Sequence, residues 1–487
     1  MRKLSIAAYL CVASCLGFNS CNLLDVPQEN IITNDSFWKN PGDAKAFLTG
    51  IYNRMLANQN GSLWGEDRGD SFKAGEIGPT SNAWAHALLE TNAPSYRDSY
   101  YIIHNVNLLF SRIEKLNFTN EAERKQIKAE AYAIRAYAYY HMLKIWGGVP
   151  IVTEPTLSDA VINKPRSSKE EVMQVVLADI ESALGLFTKE GYVNKHYFSK
   201  PAVLALKADV LMWKAKVHGG GATDLNTAIE CINAVEASGV SLLPVYADVF
   251  ANGNKKNNEI IFSMYINRYE TESLSIAANT TSRTDNVSSA DNISEAATSP
   301  NKSRHVYAPS EKVRALYDMN PSDIRKKSAI IDLVQGETLL LTQQNKFRGK
   351  DYGDDRFFDD DLIIYRWGDM VLLRAEANAA LGNMQEAVAD LNQIRNRAGL
   401  DDYEGAMDKQ SVEKEICNER LRELFIEQKR WFDLVRFHSG GTIDIYQEVP
   451  NLKDKPNYPL YWPINYNDMV SNEMLVQTEG YASSFSR

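Results

Sequence analysis

The stretch from Tyr365 to Phe437 constrains the fold of this chain more than any other, because it holds two long helical patterns joined by a short loop. In its first part, apolar or small residues recur three and four positions apart, which places them on one face of a helix. A turn at Gly382 and Asn383 separates this helix from a second one, which we expect to end at Gly399. The face positions are Met370, Leu373, Ala377 and Leu381, then Ala387, Leu391, Ile394 and Ala398. The pattern predicts a helical hairpin of the tetratricopeptide type.

The second part, VEKEICNERLRELFIEQKRWFDLVRF, is predicted to form one helix. Glu419, Glu423 and Glu427 stand four residues apart along it, and like charges at that spacing destabilise an isolated helix. We therefore expect arginines of this helix and of the hairpin to form an ion-pair network with them between packed helices. The candidate partners are Arg366, Arg374, Arg395, Arg397, Arg420, Arg422, Arg430 and Arg436.

The same glutamates allow a catalytic interpretation. Carboxylates one helical turn apart approach the separation that a retaining glycosidase needs, so Glu423 and Glu427 would be the pair in a glycoside hydrolase. Arginine-rich surroundings would hold both carboxylates ionised and leave no general acid, so we favour the ion-pair interpretation.

Helical pairs of this kind recur at irregular spacing along the chain. AEAYAIRAYAYYHMLKIWGGVP ends abruptly at its glycines, and Ser168 with Glu171 predicts a capping box for the next helix. PAVLALKADVLMWKAK and LNTAIECINAVEASG form a further pair. The fold class is therefore predicted as mainly α, a tetratricopeptide-like helical-repeat scaffold. Cys231 and Cys417 lie inside apolar helical patterns and are expected to be buried free thiols.

A loop-rich region with minor β-structure is predicted from about residue 259 to residue 360. EIIFSMY is strand-like, and the Ser-, Thr- and Asn-rich segment from Thr271 to Ser303 has no usable period. RGKDYGDDRFFDDD, from Arg348 to Asp361, bunches six aspartates but lacks the EF-hand spacing. We therefore favour a solvated loop there over a structural calcium site, and we expect no cofactor.

The N-terminus is typical of a lipoprotein signal peptide, which we assign to residues 1–20. Arg2 and Lys3 precede an apolar stretch that is too short to span a bilayer, and small residues then precede Cys15 and Cys21. We favour Cys21 as the acylated residue, because the chain turns polar only after it. Residues 21–40 would be a lipid-anchored tether and residues 41–487 the folded domain.

Charge and motifs favour binding over catalysis. The net charge of -10 argues against nucleic acid as a partner. The seven histidines never pair at three- or four-residue spacing, so no zinc motif is present, and we find no GxSxG elbow and no phosphate loop. We expect no enzyme activity.

Together these segments carry a resemblance. CNLLDVPQ, WGEDRGD, AEAYAIRAYAYYHMLKIWGGVPIV, KPRSSKEEV, PAVLALKADVLMW, YRWGDMVLLRAEANAALG, VADLNQIRNRAGL, NERLRELFIEQKRWFDLVRF and YPLYWPINYNDMVSNEMLVQTEGY follow the order of motifs in the SusD/RagB family. The chain resembles these outer-membrane nutrient-binding lipoproteins. Asn465 departs from the usual proline, and Thr478 with Glu479 interrupts the usual ending.

The resemblance implies a lipid-anchored protein of the outer membrane that faces the cell exterior. It also implies a function, in which the protein binds a glycan and delivers it to a TonB-dependent SusC-like transporter. A peptide-binding member of the same family remains an alternative, as does an adaptor built on helical repeats.

In this family the shared motifs are scaffold, and variable loops hold the ligand with aromatic and amide groups. A sugar ring stacks on Trp or Tyr, and its hydroxyls need hydrogen-bonding partners. The candidate ligand-binding residues are therefore Trp64, Arg68, Asp70, Asn82, Trp84, Tyr265, Tyr269 and Tyr307. No catalytic or metal-ligating residues are predicted.

Overall fold

A computed structural model of the chain describes residues 37–61, 64–158, 162–271 and 273–485. The predicted signal peptide, the lipid anchor at Cys21 and most of the tether lie outside the described residues. Within them the chain is mainly helical. The helices are α1 Pro41–Asn60, α2 Arg97–Ile113, α3 Glu121–Trp146, α4 Lys169–Leu186, α5 Lys200–Val217, α6 Ala222–Glu236, α7 Ser275–Asn279, α8 Glu311–Asp318, α9 Lys326–Ala329, α10 Trp367–Leu381, α11 Met384–Arg397, α12 Lys409–Leu424, α13 Arg430–Ser439, α14 Ile445–Glu448 and α15 Tyr466–Ser471.

The strands are short and pair two by two. They are β1 Phe72–Ala74, β2 Ile260–Met264, β3 Tyr307–Pro309, β4 Ile330–Gln335, β5 Thr338–Gln344, β6 Lys350–Asp351, β7 Arg356–Phe357 and β8 Leu362–Arg366. Antiparallel pairs form between β1 and β3, β2 and β8, β4 and β5, and β6 and β7. Most of these strands lie in the predicted loop-rich region, and the strand expected in EIIFSMY is confirmed as β2.

The predicted helical scaffold is confirmed. Helices α3 and α4, α5 and α6, and α10 and α11 pack as neighbouring pairs, and α10 also packs against α6 and α12. Ala375, Ala379 and Ala387 are fully buried, so the helix backbones approach closely. The turn between α10 and α11 places Gly382 at a φ of 91°, a left-handed conformation that glycine adopts without strain.

Helix ends and cysteines also follow the sequence. Ser168 and Glu171 form the predicted capping box at the start of α4. Cys231 and Cys417 are buried free thiols, as expected. In the described part of the chain, no helix is both long enough and apolar enough to span a bilayer.

The prediction of one helix from Val412 to Phe437 is wrong. Helix α12 ends at Leu424 and α13 begins at Arg430, and between them Ile426 and Gln428 have φ values of 58° and 57°. A glycine distant in the sequence packs against this break. The backbone of Gly65 lies so close to Gln428 that a Cβ there would be 1.8 Å from the Gln428 carbonyl oxygen, and the N–H of Trp431 donates to the Gly65 carbonyl at 2.7 Å.

The expected ion-pair network is present and buried. Arg366 contacts Glu423 at 2.7 Å and Glu427 at 2.7 Å, and Arg397 also pairs with Glu423. Two of its cations were not among the predicted candidates. Arg325 contacts Glu419 at 2.5 Å and Glu423 at 2.9 Å, and Lys346 contacts Glu427 at 2.8 Å.

We call this cluster the acid network. It comprises Glu259, Glu419, Glu423, Glu427, Arg325, Lys346, Arg366, Arg397 and Arg422. Arg325 and Lys346 belong to the loop-rich region, so the network joins that region to the helical scaffold. The other predicted arginines pair with different acids: Arg374 with Asp390, Arg395 with Glu415, Arg420 with Asp369, Arg430 with Asp70 and Arg436 with Glu376.

The aspartate run is the expected solvated loop only in its first part. Asp351 and Asp354 are exposed, whereas Asp359, Asp360 and Asp361 are buried. Asp361 accepts from His196 at 2.7 Å and lies 3.1 Å from the Lys255 ammonium, so protein groups hold the last part of the run. Within the described residues, no group of three or more His, Cys, Asp or Glu side chains is arranged to hold a metal ion.

Candidate functional site

An open cleft of about 430 Å³ lies where several loops meet beside the helical scaffold. The end of α1, the loop from Pro79 to Pro94, α7, β3 and the C-terminal segment each contribute to its wall. Its volume lies in the range of small-ligand sites. The lining residues are Gly61, Asp67, Pro79, Ser81, Asn82, Ala83, Leu88, Asn92, Pro94, Ser275, Asn279, Val306, Tyr307 and Trp462.

Local pairing holds the two sides of the cleft together. Strand β1 pairs with β3 in the register Phe72 to Pro309 and Ala74 to Tyr307. The ring of Phe72 stacks on that of Tyr307 with centroids 5.1 Å apart and an interplanar angle of 19°. The backbone N–H of Ser81 donates to the Tyr307 hydroxyl at 3.0 Å. The tyrosine is therefore fixed against the loop that faces it.

Asp67 is the one ionisable carboxyl group among the described lining residues. The Ser81 hydroxyl donates to its Oδ2 at 2.6 Å, while its Oδ1 is buried without a hydrogen-bond partner among the described residues. Burial raises the pKa of Asp67 to about 6, although hydrogen bonds from Ser81 and Tyr307 oppose the change. Burial is also the main reason that the pKa of Tyr307 rises to about 12. Near pH 7 the cleft thus presents one carboxylate and a neutral phenol.

Two of the predicted ligand-binding residues line this cleft, and a third lies beside it. Asn82 and Tyr307 line it, Asn82 being exposed and Tyr307 buried. Trp84 is half-buried beside them, with its ring 6.5 Å from that of Tyr307 between centroids. Its backbone N–H donates to Ser81 Oγ at 3.0 Å. The structure therefore brings together an amide, a tyrosine and a tryptophan, which suit the hydroxyls and the flat face of a sugar.

Three others are buried and engaged elsewhere. Trp64 donates its indole N–H to the Asn58 carbonyl at 3.0 Å and packs on Trp146 and Trp462. Arg68 donates to the carbonyls of Leu460 at 2.6 Å and Pro459 at 2.7 Å, and its guanidinium lies 4.2 Å from the Trp431 ring centroid. These contacts join distant parts of the chain and give both residues a structural role.

Asp70 is paired with two cations. Its carboxylate accepts from Arg430 at 2.6 and 2.9 Å and from Lys312 at 2.7 Å. Burial alone would raise the pKa of this carboxyl, but Arg430 and Lys312 hold it well below the usual value. The prediction that Arg68 and Asp70 contact ligand assumed an exposed loop, and their burial leaves them no free surface.

Tyr265 and Tyr269 are exposed but do not line the cleft. Tyr265 lies 5.1 Å from His196, between ring centroids, and Lys255 covers its face. The guanidinium of Arg268 lies 5.2 Å from the Tyr269 ring centroid and pairs with Asp354 at 3.0 Å. Both tyrosines therefore lie on the loop-rich region outside the cleft, and we call the exposed ring of Tyr269 the second aromatic surface.

Sequence reasoning missed several lining residues. Asp67 and Ser81 are sequence neighbours of two candidates, and Ser275 and Asn279 lie in a segment without a usable period. Trp462 belongs to the closing motif, which the sequence marks only as scaffold. It lines the cleft with its buried indole N–H lacking an acceptor among the described residues.

Glu423 and Glu427 do not form a hydrolase site. Both are buried, and both are paired with Arg366. Burial would raise the pKa of Glu423, but Arg397, Arg366 and Arg325 hold it well below the usual value. Arg366 and Lys346 likewise lower the pKa of Glu427 against the effect of burial. Neither carboxyl can supply the proton that glycoside hydrolysis needs.

A smaller pocket lies between the scaffold and β8. Its volume is about 40 Å³, and it is lined by His141, Lys144 and Asp209 among others. This space accommodates water but no saccharide. The cleft is therefore the better candidate for a ligand site.

Comparisons with known proteins identify the family. A family model described as the SusD family matches residues 340–481, and a second, described as "Starch-binding associating with outer membrane", matches residues 32–212. A SusD-like protein of Formosa agariphila is 29% identical over 509 residues, which cover 95% of this chain and 96% of that protein. The starch-binding protein SusD of Bacteroides thetaiotaomicron is 29% identical over 158 residues, 31% of this chain and 27% of its own length.

Solved structures share the fold. B. fragilis NanU superposes with a TM-score of 0.79 at 25% identity, covering 93% of this chain and all of that one (100%). A laminarin-binding SusD-like protein superposes with a TM-score of 0.76 at 21% identity, covering 91% of this chain and 100% of its own. Since two models of one family match separate parts of the chain, and relatives align with it almost end to end, the chain belongs to the SusD/RagB family.

Proposed function

We propose that this chain is a cell-surface lipoprotein that binds a glycan in the cleft and passes it to a SusC-like TonB-dependent transporter. The observation that carries the proposal is the cleft itself, where Asn82 and Tyr307 line an opening of saccharide size and Trp84 lies beside Tyr307. The description of one matching family model, "Starch-binding associating with outer membrane", supports both the ligand class and the location. The name of the B. thetaiotaomicron relative, a starch-binding protein, supports the same ligand class.

The proposal includes binding without turnover. The glutamate pair that a hydrolase would use is locked in the acid network, where its pKa values are lowered. We therefore expect the purified protein to leave a bound glycan intact. Release of reducing ends by the purified protein would contradict this part of the proposal.

The binding site is tested with a panel of soluble starch, laminarin, dextran and pullulan in affinity electrophoresis, followed by calorimetry on the best binder. We expect Trp84→Ala to weaken binding roughly tenfold, the equivalent of about 1.4 kcal/mol. Tyr101→Ala is the matched control, because Tyr101 is an exposed tyrosine on α2 that packs beside Arg54, whereas Trp84 packs beside Tyr307 of the cleft. Unchanged affinity in the Trp84 variant would remove the cleft from the proposal.

The second aromatic surface is tested by Tyr269→Ala. A loss of affinity confined to long chains, with short oligosaccharides unaffected, would assign Tyr269 to an additional contact along a polysaccharide. Capture of peptides instead of any glycan in the panel would favour the peptide-binding alternative.

The lipid anchor at Cys21 is tested by expressing Cys21→Ala and Cys15→Ala in a bacterium that processes lipoproteins. We expect the first variant to lose membrane association and metabolic labelling with palmitate, and the second to keep both. Co-purification of the detergent-solubilised protein with a TonB-dependent transporter tests the proposed partner.

A further inference from the structure

The lining of the cleft carries a charge pattern that the proposed function does not use. No lysine, arginine or histidine lines it among the described residues. Its one ionisable acid, Asp67, receives hydrogen bonds from hydroxyl groups and no salt bridge within that part of the chain. A negative group on a ligand would therefore meet a carboxylate and find no counter-charge.

Two polar atoms of the lining residues lack hydrogen-bond partners among the described residues, and they indicate which ligand groups suit the cleft. The Oδ1 atom of Asp67 is an acceptor without a donor, and the Nε1–H of Trp462 is a donor without an acceptor among the described residues. Both residues line the cleft and both atoms are buried. Buried polar groups in folded proteins are nearly always paired with protein, water or ligand. A hydroxyl group can donate to the first and accept from the second, whereas a carboxylate or sulfate can only accept.

Two cations on segments next to the lining are not part of it. The Lys455 ammonium donates to the carbonyls of Ala85 at 2.7 Å and His86 at 3.0 Å. Arg304, whose N–H donates to the Ala278 carbonyl at 2.8 Å, is exposed and is not part of the lining. The chain as a whole carries a net charge of -10, which repels polyanions at long range.

Resting on the glycan-binding function proposed above, we infer that the cleft selects neutral saccharides and rejects those bearing carboxylate or sulfate groups. Asp67 acts as the excluding charge and as a hydrogen-bond acceptor for a sugar hydroxyl. Trp462 supplies the complementary donor.

The experiment uses the neutral glycan that binds best in the panel, together with its carboxymethyl and hydroxyethyl derivatives at equal substitution. The hydroxyethyl derivative controls for the size of the added group. We expect the carboxymethyl derivative to bind at least about tenfold more weakly than the hydroxyethyl one, because like charges at an interface cost several kcal/mol. Equal or tighter binding of the carboxymethyl derivative would overturn the inference and leave the proposed function intact. Failure of every glycan to bind would overturn the proposed function itself.

Asp67→Asn keeps the shape of the side chain and an acceptor for Ser81. We expect this variant to reduce severalfold the ratio of the affinity for the hydroxyethyl derivative to that for the carboxymethyl derivative. Arg304→Gln should leave this affinity ratio unchanged. A measurement on the unaltered protein is independent of variant folding: raising NaCl from about 0.02 M to about 0.5 M should strengthen binding of the carboxymethyl derivative alone, since salt screens repulsion. Weaker binding of that derivative at high salt would mean attraction and would contradict the inference.

Discussion

The acid network and the cleft both contain buried carboxylates, but the partners of these carboxylates differ in the two regions. In the acid network Glu423 faces three guanidinium groups, those of Arg325, Arg366 and Arg397. At the cleft Asp67 faces hydroxyl groups only and keeps one oxygen without a partner among the described residues. The first arrangement lowers the pKa of its acid and the second raises it. Full pairing makes a rigid joint, whereas an unpaired acceptor leaves something for a ligand to satisfy.

Breaking the acid network should have the largest effect on stability. Glu423→Gln removes the charge but keeps the shape, so three buried guanidinium groups lose their common partner. We expect a loss of about 3–5 kcal/mol in the free energy of unfolding, the range for removing one member of a buried ion pair. Denaturant unfolding measures this loss.

The control for that variant is Arg54→Leu, because Arg54 and Asp98 form an exposed pair 4.0 Å apart. We expect a change of less than about 1 kcal/mol there, the usual range for a surface salt bridge. If both variants lost the same small amount, the acid network would not be the joint between the loop-rich region and the scaffold.

The buried carboxyl group of Glu66 should make folding stability depend on pH in the opposite direction to the acid network. Glu66 lies next to Asp67, and burial raises its pKa from 4.5 to about 8, although Ser71 and Arg430 oppose the change. A raised carboxyl pKa means that the folded state binds the extra proton, so this contribution to stability is complete below pH 4.5 and is lost as the pH rises through about 8. The lowered pKa values of the acid network instead stabilise the fold above about pH 4.5 and cease to do so in acid.

We therefore expect stability to be greatest near pH 4.5 and to fall toward alkaline pH by several kcal/mol. Glu66 shares this decline with Glu130 and Asp360, whose pKa values burial raises to about 7. Glu66→Gln should make the alkaline decline shallower and leave the acid limb unchanged. Thermal unfolding at a series of pH values from about 2 to about 9 measures both limbs. An alkaline decline of unchanged depth in the variant would mean that the other groups carry it.

The contrast between the two regions also shows what a sequence can reveal. The helical hairpin of α10 and α11 was predictable, because apolar residues recur three and four positions apart within each helix. The break between α12 and α13 was not, because apolar residues continue through Ile426 and the backbone that packs against the break is that of Gly65, far away in the sequence. The sequence indicated that Glu419, Glu423 and Glu427 need cationic partners. It did not indicate Arg325 and Lys346 as partners, because both lie in the loop-rich region, outside the predicted helices.

The site follows the same rule. Asn82, Trp84 and Tyr307 were identified by the chemistry of their side chains, and the fold places Asn82 and Tyr307 in the cleft lining and Trp84 beside them. Arg68 and Asp70 have equally suitable chemistry, yet partners from the C-terminal half bury them. Residue type can indicate which side chains suit a sugar, but only the tertiary fold decides which of them line a cleft.

The smallest change in stability is expected for Asp67→Asn. This variant tests whether the Asp67 carboxylate stabilises the fold, as Glu423 does, or is kept for a ligand. Asp67→Asn removes a buried charge whose pKa burial raises from 3.8 to about 6. Below pH 3.8 the wild-type carboxyl is neutral in both states, and as the pH rises through about 6 its ionisation costs the folded protein stability that the amide does not lose. The difference in the free energy of unfolding between the variant and the wild type should therefore shift in favour of the variant by on the order of 1 kcal/mol when the pH is raised from 4 to 7.5. Paired unfolding curves at the two pH values measure this gain, and a variant that instead lost stability at pH 7.5 would show that Asp67 is a structural acid like Glu423 and not an acceptor kept for a ligand.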